Sequence, residues 1–238
     1  MKTVKNLSAL LFTIVILFAG CSVLGERGNG KVVKQERNVS AFDAIEVSGA
    51  FDVYLSLGST QSVFIETDEN LQPLIRTGVS GSTLKIDNKE PIHNPKCMKV
   101  YITVTDLKRI EVSGAVDVHT QNKLTLTELS VEISGATDAT LDIAVQKLEV
   151  SSSGGSNLKF TGMANNVDMD VSGAVDIRAF DLLAETVSLE ISGAGEAEIN
   201  VTKELKADIS GAATVRYKGD PAKVDTDVSG AGSIKKAI

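Results

Sequence analysis

Tryptophan is absent from this 238-residue chain and aromatic residues make up only 4% of it, so base-stacking and sugar-stacking platforms are not expected. Cysteine occurs twice, at Cys21 and Cys97, too few for a disulfide framework, and stability must come from a packed core. No apolar run reaches the roughly 20 residues that a membrane-spanning helix needs. Bases are outnumbered by acids, 24 to 31, giving a net charge of −7. Such a surface repels nucleic acid and anionic headgroups.

What is there begins with a leader. Lys2 and Lys5 precede a largely apolar run from Ala9 to Ala19 that stops at Gly20-Cys21. This is the pattern of a signal peptide over residues 1–20, and removing its two lysines takes the charge from −7 to −9. Leu17-Phe18-Ala19-Gly20-Cys21 resembles a bacterial lipobox, which makes Cys21 the lipidation site and the lipid the only contact with membrane. Ser22 stands where an Asp often retains lipoproteins at the inner membrane, so an outer-membrane anchor is expected, on the periplasmic or the cell-surface side. Residues 21–41, polar and Gly-bearing, read as the lipidated cysteine and its tether, and 42–238 as one β domain.

Ser-Gly-Ala recurs at Ser48, Ser113, Ser134, Ser172, Ser192, Ser210 and Ser229, with Ser153-Gly154-Gly155 filling the gap. From Ser113 the spacings are 21, 19, 19, 20, 18 and 19, a period that marks a stacked array. The residue before each serine is β-branched in seven of the units (Val47, Val112, Ile133, Val171, Ile191, Ile209, Val228), and the one before that is acidic (Glu46, Glu111, Glu132, Asp170, Glu190, Asp208, Asp227). Apolar inward and acid outward with period two is a half-buried strand. A second apolar column, Val53, Val118, Ala139, Leu158, Ile177, Ala197, Val215 and Ile234, starts the next strand. The glycines between them (Gly49, Gly114, Gly135, Gly154, Gly173, Gly193, Gly211, Gly230) supply a sharp turn, and the Ala or Gly that follows is expected to fill a corner too tight for more than a methyl.

Two architectures use this pattern: a parallel β-helix stacking equivalent positions about 4.8 Å apart, or a meander of antiparallel hairpins. Identity down a column favours the helix, in which each side chain's neighbour is the same position one repeat away. Residues 42–112 read as irregular coils and 113–238 as regular ones, with Pro91-Ile92-His93-Asn94-Pro95 an excursion. The final strand, Ser233 to Ile238, has no cap after it, so a homo-oligomeric or crystal-packing contact is expected at that end.

Phe42-Asp43-Ala44-Ile45-Glu46-Val47-Ser48-Gly49-Ala50 and the repeated glycine turns resemble the head GIN domain family of auto-transporter-like adhesins, exported lipoproteins typical of Bacteroidetes, over roughly residues 40–238. The resemblance implies a right-handed β-helix without catalytic residues and a role in adhesion.

The candidate chemistry is a second acidic column four residues after the serines, of which Asp117, Asp138, Asp176 and Glu196 are the candidate metal ligands. Weak Ca²⁺ binding would bridge carboxylates one repeat apart, but Ca²⁺ takes about 6–8 oxygens and each repeat supplies few. Turn closure and solubility are the plainer roles. His93 and Cys97 flank Pro95 without further ligands, Ser82-Thr83-Leu84-Lys85 lies in strand-like sequence, and two histidines cannot activate eight serines. No catalytic residue, cofactor or nucleic-acid partner is therefore expected. The functional expectation is a non-catalytic envelope module holding a protein or glycan ligand on an extended face. Alternatives are an envelope structural protein acting through homo-oligomerisation, or a degenerate carbohydrate-active enzyme.

Overall fold

The computed structural model describes residues 25–237, so the expected leader and the expected lipidation site Cys21 lie outside the described residues. Thirteen strands and one short 3-10 helix (Glu69–Leu74) build a single all-β domain without a closed barrel. In chain order the strands are β1 (Glu26–Arg27), β2 (Val32–Glu36), β3 (Ala44–Leu57), β4 (Ser62–Asp68), β5 (Ile75–Ser80), β6 (Thr83–Asn88) and β7 (Ile92–His93). They continue as β8 (Met98–Val104), β9 (Arg109–Thr120), β10 (Leu124–Thr125), β11 (Glu128–Lys218), β12 (Lys223–Gly230) and β13 (Ser233–Lys236).

Equivalent positions of successive repeats pair in parallel, as the columns require. Ser113 of β9 stands opposite Ser134 of β11, Glu111 opposite Glu132, and Val112 opposite Ile133. At the far end Ile209 is opposite Val228 and Val215 opposite Ile234. The β-branched column is buried at Val47, Val112, Ile133, Val171, Ile191 and Ile209, and one continuous core runs from Phe42 to Val215.

The chain does not turn tightly at Ser-Gly-Ala. Strand structure runs straight through it, and the period-two alternation is unbroken: Ile133 in, Ser134 out, Gly135 at the inward slot, Ala136 out, Thr137 in. The glycine makes the corner because its φ is positive, +127° at Gly135 and +125° at Gly154. A second constraint is spatial. A Cβ on Gly154 would lie 2.3 Å from the carbonyl oxygen of Gly135, and one on Gly135 would lie 2.3 Å from that of Gly114. The glycines thus form a ladder in which each backbone rests on the one before. The inward alanine column expected from the sequence is corrected: Ala50, Ala115, Ala136, Ala174 and Ala194 are exposed.

Residues 42–112 also differ from a series of irregular coils. β3 pairs directly with β9, Ser48 opposite Ser113 across 65 residues, so β3 is itself a regular unit and residues 58–108 are an insertion between neighbours. That insertion caps the stack. β6 pairs in parallel with the first half of β3 and β8 with its second half. The proline-bounded excursion passes between them at the place where other repeats bend at glycine. Antiparallel strands complete the cap: β5 on β6, β4 on β8 and β2 on β4.

Residues 26–27 and 32–36, expected to lie in a tether, are strands of the fold, because β1 pairs with β7 and β2 with β4. Buried Gln72 donates to the carbonyls of Val33 (2.9 Å) and Ile65 (3.0 Å) and accepts from Arg37 (2.6 Å). Buried Asp68 accepts from the backbone of Gly30 (2.5 Å) and of Lys96 (2.6 Å). The bonds of Gln72 to Val33 and Arg37 and of Asp68 to Gly30 fix the N-terminal segment to the cap.

Candidate binding surface

Outside the glycine ladder, the parallel register turns each sequence column into a row of identical chemistry. On one side of the corner the serines and the first acidic column line a groove. Glu111, Glu132 and Asp170 with Ser113, Ser134, Ser153 and Ser172 border a 370 Å³ stretch, and Asp170, Glu190, Asp208 and Asp227 with Ser192, Ser210 and Ser229 a further 250 Å³. Asp170 borders both, so the two hollows adjoin along the regular repeats, with Ser151 in the acidic position between Glu132 and Asp170. Ser113 donates to Ser48 at 2.8 Å, linking hydroxyls one repeat apart.

On the other side, a 400 Å³ hollow lies among Gly155, Asn157, Ala174, Asp176 and Ala194. The candidate metal column runs beside it. The structure brings Asp117, Asp138, Asp176 and Glu196 into line, but their oxygens are engaged by the next repeat: the Asp138 amide donates to Asp117 (3.4 Å), Asn157 to Asp138 (2.7 Å), and the Glu196 amide to Asp176 (3.2 Å). Arg216 closes the row on Glu196 (3.1 Å) and Glu198 (2.7 Å). Asn157 interrupts the charge. Among the described residues no group of three or more His, Cys, Asp or Glu side chains is placed to hold a metal ion.

His93 lies in β7, while the half-buried Cys97 thiol donates to the Glu66 carbonyl at 3.5 Å. Burial and then the Glu66 carboxylate push that thiol above its ordinary pKa, away from the reactive thiolate. Lys85, the lysine of the Ser-x-x-Lys match, forms an ion pair with Glu46.

Sequence reasoning missed an aromatic pile on the cap. Tyr54 is opposite both Tyr101 and His119, and Phe64 opposite Tyr101. The tyrosine rings stack at 5.1 Å and 17°, His119 tilts on Tyr54 at 5.8 Å, and the Lys34 ammonium sits between Tyr101 (3.7 Å) and Phe64 (5.2 Å). Ring faces are spent on one another and on Lys34, so the pile staples β2, β4, β8, β3 and β9 together. The Tyr101 hydroxyl donates to Glu66 at 2.9 Å, and burial followed by that bond pushes its pKa up to about 12. The signal was the Tyr and His content at positions 54, 101 and 119, but their meeting depends on pairings across 47 and 65 residues (54 to 101 and 54 to 119).

Solved structures share this fold. A "putative adhesin" from Bacteroides fragilis NCTC 9343 aligns with a TM-score of 0.86 at 28% identity, over 90% of this chain and 100% of its own. A "putative lipid binding protein" from Parabacteroides distasonis aligns at 0.72 and 23% identity, over 89% and 99%. A "putative adhesin" from Parabacteroides merdae aligns at 0.64 and 24%, over 89% and 98%. Comparison with curated proteins gives no match. The family described as "Putative auto-transporter adhesin, head GIN domain" matches residues 41–221, and this chain belongs to it.

Proposed function

We propose that the chain is a non-catalytic lipoprotein of the cell envelope that holds a protein or glycan partner along the outer face of a right-handed parallel β-helix. The carrying observation is the pair of adjoining hollows lined by serines and carboxylates in the regular repeats, from Glu111 to Ser229. A surface built of one motif repeated along an axis suits an extended ligand better than a single small molecule. Right-handed winding is the sense in which twisted parallel strands are joined. Membership in an adhesin family supports export and adhesion. Cys21, carrying lipid, would tether the domain to the outer membrane through a linker that ends where β1 begins.

Protease shaving of intact cells, combined with attachment assays on a deletion strain, tests this reading. Surface exposure with loss of attachment in the deletion strain is the expected result, and full protection from protease with unchanged attachment overturns it. Incubation with polysaccharides is expected to release no new reducing ends, which separates a binder from a carbohydrate-active enzyme.

A further inference from the structure

We propose that copies of this chain join head to tail, edge strand β12 of one copy pairing antiparallel with edge strand β5 of the next, to continue the stack as a filament. The surface-binding reading does not depend on this.

Both strands are open edges of the same half of the sheet. Among the described residues β5 pairs with β6 alone and β12 with β11 alone. All eight residues of β12 are exposed, and Val228, in the column that is buried in the other repeats, is 39% exposed while Val224 is 45% exposed. An open edge with apolar residues facing the core side is a template for another strand.

The two edges match residue by residue. When Thr77 is set opposite Thr226, Ile75 falls opposite Val228 and Val79 opposite Val224 on the core side. On the outer side Arg76 falls opposite Asp227, Gly78 opposite Asp225 and Ser80 opposite Lys223. Asp225 and Asp227 form no ion pair among the described residues, and Arg76, which holds Asp87 at 2.5 Å through Nε, has further guanidinium N–H groups to offer Asp227. A Cβ at Gly78 would meet nothing within 4 Å, leaving room for Asp225. The Thr77 hydroxyl is buried without a hydrogen-bond partner, which Thr226 would supply. Cross-strand apolar pairs, Thr–Thr pairs and opposite charges are the combinations that stabilise antiparallel neighbours.

Strand direction agrees as well. β12 runs parallel to β11 and hence to β3, while β5 runs antiparallel to β6 and so to β3 of its own copy. Antiparallel pairing of β12 with the next β5 therefore keeps the β3 strands of both copies pointing the same way. Such a heterologous contact does not close on itself and propagates.

The test uses the full-length chain, purified in detergent, with Thr77→Cys and Thr226→Cys. Opposed antiparallel residues lie about 4.5–5.5 Å apart between Cα atoms, within disulfide reach. Under mild oxidation the double variant is expected to give a ladder of multimers on a non-reducing gel, and a mixture of the two single variants dimers only. Dimers from Thr226→Cys alone beyond the unmodified chain would mean symmetric β12–β12 pairing and overturn the proposal, as would no ladder from the double variant. Charge reversal supplies the second arm. Arg76→Asp or Asp227→Arg alone should weaken association at least about tenfold, and mixing the two should restore it. Restoration also shows that both variants are folded, and association unaffected by either change refutes the register.

Discussion

Replacing Gly154 by Ala puts the smallest possible side chain where the ladder leaves no room. Its φ of +125° is strained for any residue with a Cβ, at a cost of about 1–3 kcal/mol. The added carbon would stand 2.3 Å from the Gly135 carbonyl oxygen, which is backbone and cannot swing aside. Forcing the two repeats apart costs about 1–3 kcal/mol more, as overpacking does elsewhere. A loss of about 4 kcal/mol corresponds to a fall in Tm of about 8–16 °C for a domain of this size. The adjacent control is Gly155→Ala, at a position without positive φ and with nothing within 4 Å of the new carbon. It should change stability by no more than about 0.5 kcal/mol. Ala194→Leu, on the exposed column, should be equally mild, whereas an inward column would make it costly. Thermal melts followed by far-UV circular dichroism compare the three. If Gly154→Ala and Gly155→Ala melt together, the stacking of glycine backbones is not what demands the residue.

Tyr101 is held protonated in the fold, with a pKa of about 12 against an ordinary 10.0. Its contribution to stability is complete below about pH 10 and is lost as pH rises toward 12. Tyr101→Phe should flatten the alkaline limb of stability, and its difference spectrum at tyrosinate wavelengths should lack the late step. An alkaline limb unchanged by the substitution contradicts this. Phe160, fully buried, should lose about 3–5 kcal/mol on Phe160→Ala, read by urea denaturation. Sodium chloride should raise stability by screening the acidic rows, and calcium chloride at equal ionic strength should add nothing. A larger calcium effect, abolished by Asp138→Asn, would place an ion on the column of Asp117, Asp138, Asp176 and Glu196.

Much of the regular half was readable from spacing alone. Columns such as Val112, Ile133 and Val171 declare both their strand and their buried face, because parallel stacking puts like residues beside like. The outward placement of Ala136 was readable too, had the alternation from Val131 been carried through Gly135 instead of stopped at an assumed turn. The cap was not. Its strands carry no repeated motif, and the pairing of β3 with β9 across 65 residues depends on an insertion leaving and returning to the same edge. The aromatic pile shares that blindness, since Tyr54, Tyr101 and His119 are neighbours only after the insertion has folded. The sequence suggested an open end at Ser233 to Ile238, which contains β13, whereas the open edges of β12 beside it and of β5 at the other end appear only with the topology.

The glycine ladder makes every internal repeat interchangeable. Each unit between Gly114 and Gly211 offers its successor the same backbone platform that it received from its predecessor, in a series that starts on Gly49 and ends at Gly230. Loss or gain of one block of about 19–20 residues inside β11 leaves every remaining junction of the same kind. The length of the groove is thus free to drift in steps of one strand spacing, about 4.8 Å. Reach can lengthen or shorten by duplication within the array, while the cap stays as it is.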